Sequence, residues 1–184
     1  HPEDEMTNYI YADFLRTIRN IDKSIIYYKK VVEINPNQRE AWLDMLFLEL
    51  QNNSIDSLIL DSEKALDFFP TYPTFYYLHA LAHFYNKDYL KSIDFIKTGV
   101  SFVVDNPPLA SEMYSVLGNS YNEIEEYINS DSAYEKSLEF LPENVTVLNN
   151  YAYYLSLRGE NLEKAKKMSK KTIEMFPKEA NYLD

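Results

Sequence analysis

Six prolines set the frame of this chain. Pro2, Pro36, Pro70, Pro107, Pro142 and Pro177 stand 34, 34, 37, 35 and 35 residues apart. From Pro36 onward each closes an amphipathic phrase: VVEINP, ALDFFP, VSFVVDNP, SLEFLP and TIEMFP. Proline has no backbone N–H to donate and pushes its predecessor out of the helical region, so it stops a helix. A stop signal recurring at this period means one supersecondary unit written several times over.

Within each period the apolar residues recur at helical spacing, in two blocks split by a short polar stretch. Twelve residues before the closing proline stand Ser24, Leu58, Ser130 and Ala165, with Ser92 as the third counterpart. The first block carries a small residue at a matching place, Ala12, Ala80, Gly118 or Ala152, with Leu46 the exception. Small residues let two antiparallel helices approach, and the large ones fill the space between them. The pattern predicts ten helices in five antiparallel pairs and no strands.

Composition removes most other fates. The net charge of −11 suits no polyanion, so nucleic acid is not expected as a partner. Cysteine is absent, which excludes disulfides, thiolate metal sites and a cysteine nucleophile. Gly99, Gly118 and Gly159 are the only glycines and lie too far apart for a phosphate-cradling loop. No apolar run is long enough to span a membrane, and membrane contact is not expected for this segment.

Tyr114, Leu117, Gly118 and Tyr121, followed by Ser130, Tyr134, Ser137 and Pro142, resemble the tetratricopeptide repeat, as it occurs in bacterial proteins of that family. Trp42 in EAWLDML sits where that family favours tryptophan, and NKDYLKSIDFIKTGV (86–100) is similar to its second-helix phrase. The resemblance implies an all-α fold, an α-solenoid of antiparallel helix pairs wound as a right-handed superhelix. It divides residues 1–184, read as a single array, into repeats at about 3–36, 37–70, 71–107, 108–142 and 143–177, with 178–184 opening a truncated sixth. Glu49 and His83 depart from the pattern, standing where an aromatic or leucine is usual, and the third repeat carries about three extra residues around FVVDNPP. The chain is expected to be part of a longer protein. The phrase LNNYAYYLSLRGENLEKA is similar to repeats of bacterial cell-envelope proteins, which points to the periplasmic side, with a lipoprotein as one kind of parent, over the cytoplasm.

Candidate chemistry is sparse. His79 and His83 have the i, i+4 spacing of a zinc pair, but no third ligand is evident and both fall on recurring core positions, so packing is the reading and no metal or cofactor is expected. Residues 101–150 hold nine acids against Lys136, a net of −8, which reads as a solvated face or a lure for a cationic partner. Lys164, Lys166, Lys167, Lys170 and Lys171 crowd the last helix, where a solvated outer face is the simplest reading. No nucleophile signature occurs, so no catalytic residue is assigned and the chain is not expected to be an enzyme.

The resemblance also implies a groove lined by one stripe on each first helix, taking an extended protein or peptide segment. Transferred onto this sequence, the stripe is Tyr9, Asp13 and Arg16; Leu43, Phe47 and Leu50; Tyr77, Leu81, Phe84 and Tyr85; Glu112, Ser115, Asn119, Asn122 and Glu123; then Asn149, Tyr153 and Ser156. It is apolar in repeats two and three and amide-rich in repeats four and five. The lysine, asparagine and arginine clamp that some members use for a C-terminal carboxylate is not seen, since Tyr9 and Asp13 occupy its first positions. The expected function is a non-catalytic protein–protein interaction scaffold. The alternatives are a regulatory or substrate-recruiting segment of a multidomain enzyme, and a self-association module using Leu43, Phe47, Leu81 and Phe84.

Overall fold

The computed structural model describes residues 4–175. Among them are ten helices and no strand: α1 Glu5–Thr17, α2 Ile21–Ile34, α3 Arg39–Gln51, α4 Ile55–Phe68, α5 Pro73–Tyr85, α6 Tyr89–Val100, α7 Pro107–Glu123, α8 Tyr127–Phe140, α9 Val145–Arg158 and α10 Leu162–Met175. Pro2, Pro177 and the sixth repeat expected at 178–184 lie outside the described residues.

Helix starts follow from short polar residues and proline. Asp4, Asn106 and Asn144 each accept a hydrogen bond from the backbone N–H three residues on, at 2.7, 3.2 and 3.2 Å. Pro73 and Pro107 open α5 and α7, where a missing N–H costs nothing.

The turns inside the pairs repeat one geometry. Arg19, Asn53, Lys87, Glu125 and Gly159 all take left-handed backbone, with φ of 60°, 56°, 62°, 62° and 67°. The following residue then bonds to the carbonyl five residues back: Asn20 to Leu15 at 2.8 Å, Ser54 to Glu49 at 2.8 Å, Asp88 to His83 at 2.9 Å, Glu126 to Tyr121 at 2.9 Å and Glu160 to Leu155 at 3.0 Å. This closure satisfies carbonyls that a helix end leaves open. It also aligns the five pairs residue by residue, so that Leu15, Glu49, His83, Tyr121 and Leu155 are structural equivalents.

The helices gather into two compact units, His1–Phe102 and Val103–Asp184, and the division falls inside the FVVDNPP phrase that carries the extra residues. In the first unit α1 to α6 pack in sequence, with α3 also meeting α5. Its core holds Tyr28, Trp42, Met45, Leu46, Leu58, Phe75 and Leu78. In the second unit α7 to α10 pack in sequence, and Tyr134, Leu148, Tyr151, Leu155 and Met168 gather as a core. The small positions do what their size allows. Ser24 Oγ donates to the Ala12 carbonyl at 2.8 Å, and Ser130 Oγ donates to the Gly118 carbonyl at 2.9 Å, each bond stitching a pair. A Cβ on Gly118 would stand 2.9 Å from the Tyr134 ring, so only glycine leaves room for that aromatic.

Candidate functional site

In the first unit the expected stripe lies on α1, α3 and α5, the first helices of their pairs. Its polar end is a bonded cluster. Tyr9 Oη donates to Asp44 Oδ2 at 2.8 Å, Arg16 donates to Asp44 Oδ1 at 2.8 Å, and Arg16 also pairs with Asp13. Partial burial, reinforced by the bond to the Asp44 carboxylate, pushes the Tyr9 phenol up to about 12. The Tyr9 ring stands edge-on to buried Tyr28, with centroids 5.5 Å apart. Two carboxylates around one guanidinium leave this end with a net charge of −1. Asp44 was absent from the sequence-derived stripe, and it is the residue that ties α3 to α1.

The apolar end is narrower than the stripe suggested. Phe47 on α3 and Tyr85 on α5 are 47% and 54% exposed. Half-buried Phe84 meets Tyr85 and Tyr89 with centroids 5.7 and 5.6 Å away. Leu43, Leu50 and Tyr77 are half-buried and pack against the core. Leu81 is buried, because α5 packs on α3, α4 and α6 and every side chain from Leu78 to His83 is covered. It belongs to the interior and not to the exposed stripe.

In the second unit Ser115 is likewise buried, within the broad covered arc that α7 presents from Ser115 to Gly118. Other stripe residues are committed to neighbours: Asn119 accepts from Tyr134 Oη, and Glu112 accepts from Asn144 Nδ2 at 2.9 Å. Ser156 is exposed and donates to the Ala152 carbonyl at 2.8 Å. Asn122 and Asn149 are half-exposed, and Glu123 and Tyr153 are exposed. The expected stripe on this unit is therefore acidic and amide-bearing, with Tyr153 its one open aromatic.

His79 and His83 are buried in the first unit. His79 Nδ1 lies 2.8 Å from Ser62 Oγ, the two Nε2 atoms are 3.2 Å apart, and both rings pack on Phe95. Burial and the neighbouring His83 hold His79 down to about 4. Among the described residues no group of three or more His, Cys, Asp or Glu gathers as a metal site, and no helix is long and apolar enough to cross a membrane.

The tetratricopeptide repeat family model matches residues 7–38, which cover most of α1, all of α2 and the turn leading to α3. That match covers one repeat, and the chain, with ten described helices, has the fold of a tetratricopeptide-repeat solenoid. The solved structures agree in fold. A crystal structure of MamA superposes with a TM-score of 0.76 over 97% of this chain and 94% of that one, at 23% identity. MamA 41-end from Desulfovibrio magneticus RS-1 gives 0.78 over 96% and 97%, at 15% identity. YrrB, described as a TPR protein with an unusual peptide-binding site, gives 0.69 over 98% and 91%, at 15% identity. No curated protein matches. Tetratricopeptide repeat proteins are generally non-catalytic scaffolds that bind proteins or peptides, and their surface is left free because each repeat buries its core against its neighbours.

Proposed function

We propose that this tetratricopeptide-repeat chain, with repeats at about 3–36, 37–70, 71–107, 108–142 and 143–177, is a non-catalytic scaffold that binds extended polypeptide on the faces of its first helices. The observation that carries the reading is exposed Phe47, which stands one turn along α3 from Asp44 of the net-negative Asp13–Arg16–Asp44 cluster, together with exposed Tyr85 at the end of α5. Large aromatics kept half open are the usual anchors of an interface. A bonded acidic cluster beside them favours a segment pairing an apolar side chain with a basic one. The face of the second unit, with Asn122, Asn149, Glu123 and Tyr153, fits a polar or cationic segment, because amides can both donate to and accept from any peptide backbone. YrrB, which shares the fold, is described with an unusual peptide-binding site, and this supports peptide as the kind of partner.

The test is selection of peptides from a random display library against the chain, followed by calorimetry on the best binder. Selected peptides should pair apolar with basic residues, and Phe47→Ala should weaken binding strongly while the fold persists. Unchanged affinity in Phe47→Ala and Tyr85→Ala would move the site elsewhere. A light-scattering concentration series on the free chain separates this mode from self-association.

A further inference from the structure

Glu49 is the most unusual residue in the first unit. It sits at the position filled by Leu15, Tyr121 and Leu155 in other pairs, and its side chain is fully buried. Its surroundings come from three elements. From α2, Lys29 Nζ reaches in to 3.2 Å from Glu49 Oε1 and 2.7 Å from Asp61 Oδ2. From α4, Asp61 is itself 8% exposed, and Lys64 meets its other oxygen at 3.2 Å from the surface side. From α5 come His79 and His83, both shifted toward the neutral form. The charges of α1, Asp13 and Arg16, engage Asp44, which lies five residues from Glu49 and so about 140° round α3.

Two buried carboxylates thus share one inward-reaching ammonium, and among the described residues neither Glu49 oxygen nor Asp61 Oδ2 has a well-formed hydrogen bond. A carboxylate left this way is costly to bury. One proton resolves it, since a neutral Glu49 donates its O–H to the ionised Asp61 while Lys29 balances the remaining charge. We propose that Lys29, Glu49 and Asp61 form a proton-sensitive latch that holds α3 between α2 and α4. Burial first, then the Asp61 charge, raises the Glu49 carboxyl to about 7 against the pull of Lys29, while for Asp61 the cost of burial is outweighed by the Lys29 ammonium, which holds its carboxyl low.

The sign follows from linkage. The folded state takes up the proton more readily than the unfolded chain. The stabilisation is complete below the ordinary glutamate range and is lost as pH rises through about 7. The latch stands on the Lys29–Glu49–Asp61 geometry and does not depend on the proposed groove.

Two readouts test the latch. Carbon-13 NMR of the wild-type side-chain carboxyls should show Glu49 inflecting near 7, well apart from the exposed glutamates. Urea denaturation followed by Trp42, the chain's only tryptophan and part of this unit, reports Glu49→Gln against wild type. The midpoint of Glu49→Gln should rise relative to wild type as pH goes from about 5 to about 8.5. Glu49 inflecting among the ordinary glutamates would overturn the latch, as would a wild-type-to-variant difference that does not change with pH. If Glu49→Gln fails to fold, the wild-type NMR titration alone decides.

Discussion

The two units use one backbone design and fill it with different chemistry. Each closes its hairpins with the same left-handed turn and stitches a first helix to a second with the same serine bond, Ser24 to Ala12 in one and Ser130 to Gly118 in the other. Inside, they part. The first unit buries Glu49, Asp61, His79 and His83. The second unit buries Tyr134 and Tyr151, whose phenols are pushed up by burial and stay neutral, along with a network in which Ser111 meets Ser137 at 2.9 Å and Asn144 donates to Ser111 at 3.0 Å. Burial pushes Glu49 up to about 7 and His79 down to about 4 in the first interior, whereas among the described residues the second buries no carboxylate or imidazole. The repeat frame therefore sets where a side chain is buried, and the residue chosen there sets whether the unit feels pH.

The largest expected effect tests the titrating interior from its acid side. A histidine held down to about 4 stabilises the fold above its unfolded value near 6.5, and this is lost as pH falls toward 4. The shift corresponds to about 3 kcal/mol. Trp42-monitored stability should fall over that window in wild type, and less in His79→Leu. This runs opposite to the Glu49 contribution, so the two variants tilt the pH profile in opposite directions. Equal pH profiles for wild type and His79→Leu would break the comparison.

A mutation in the neutral interior comes next. Gly118→Ala places a methyl 2.9 Å from a fully buried Tyr134 ring with no route out. Overpacking of this kind costs about 1–3 kcal/mol. The loss should read out as reduced hydrogen-exchange protection in α7 and α8, and it should not vary between about pH 5 and about pH 8. A pH-dependent loss would mean that this interior titrates after all.

The smallest effect probes what the units share. Lys87 and Glu125 hold a left-handed conformation that costs a side-chain-bearing residue about 1 kcal/mol, and that glycine adopts freely. Lys87→Gly and Glu125→Gly should each raise stability by about 0.5–1 kcal/mol, and Gly159→Ala should lower it by a similar amount. Denaturation midpoints would show this, and opposite signs in the two units would deny the shared turn.

Much of the frame was legible because proline and helical periodicity are local signals. The second-helix serines Ser24 and Ser130 were placed correctly as small contact positions. The recurrent left-handed turns were not legible, since only Gly159 among the five announces one. Glu49 stood out as a departure, but its partners Lys29 and Asp61 lie on other helices, and no local pattern connects them. Asp44 was missed for the same reason: its bonds run to Tyr9 and Arg16, in the preceding pair. Leu81 and Ser115 were misplaced because a stripe transferred by spacing assumes one burial arc per helix. Helices α5 and α7 are covered over a wider arc.

The central claim is that the face carrying Phe47 and Tyr85 receives polypeptide. The most direct measurement is an NMR titration of the labelled chain with a library-selected peptide, following shifts residue by residue. The account predicts that the first-unit perturbations centre on Phe47, Phe84, Tyr85 and the Tyr9–Asp44–Arg16 cluster, and that Phe47→Ala weakens binding by about 2 kcal/mol or more. Perturbations confined to the outer helices α2, α4 and α6, with affinity unchanged in Phe47→Ala, would contradict it.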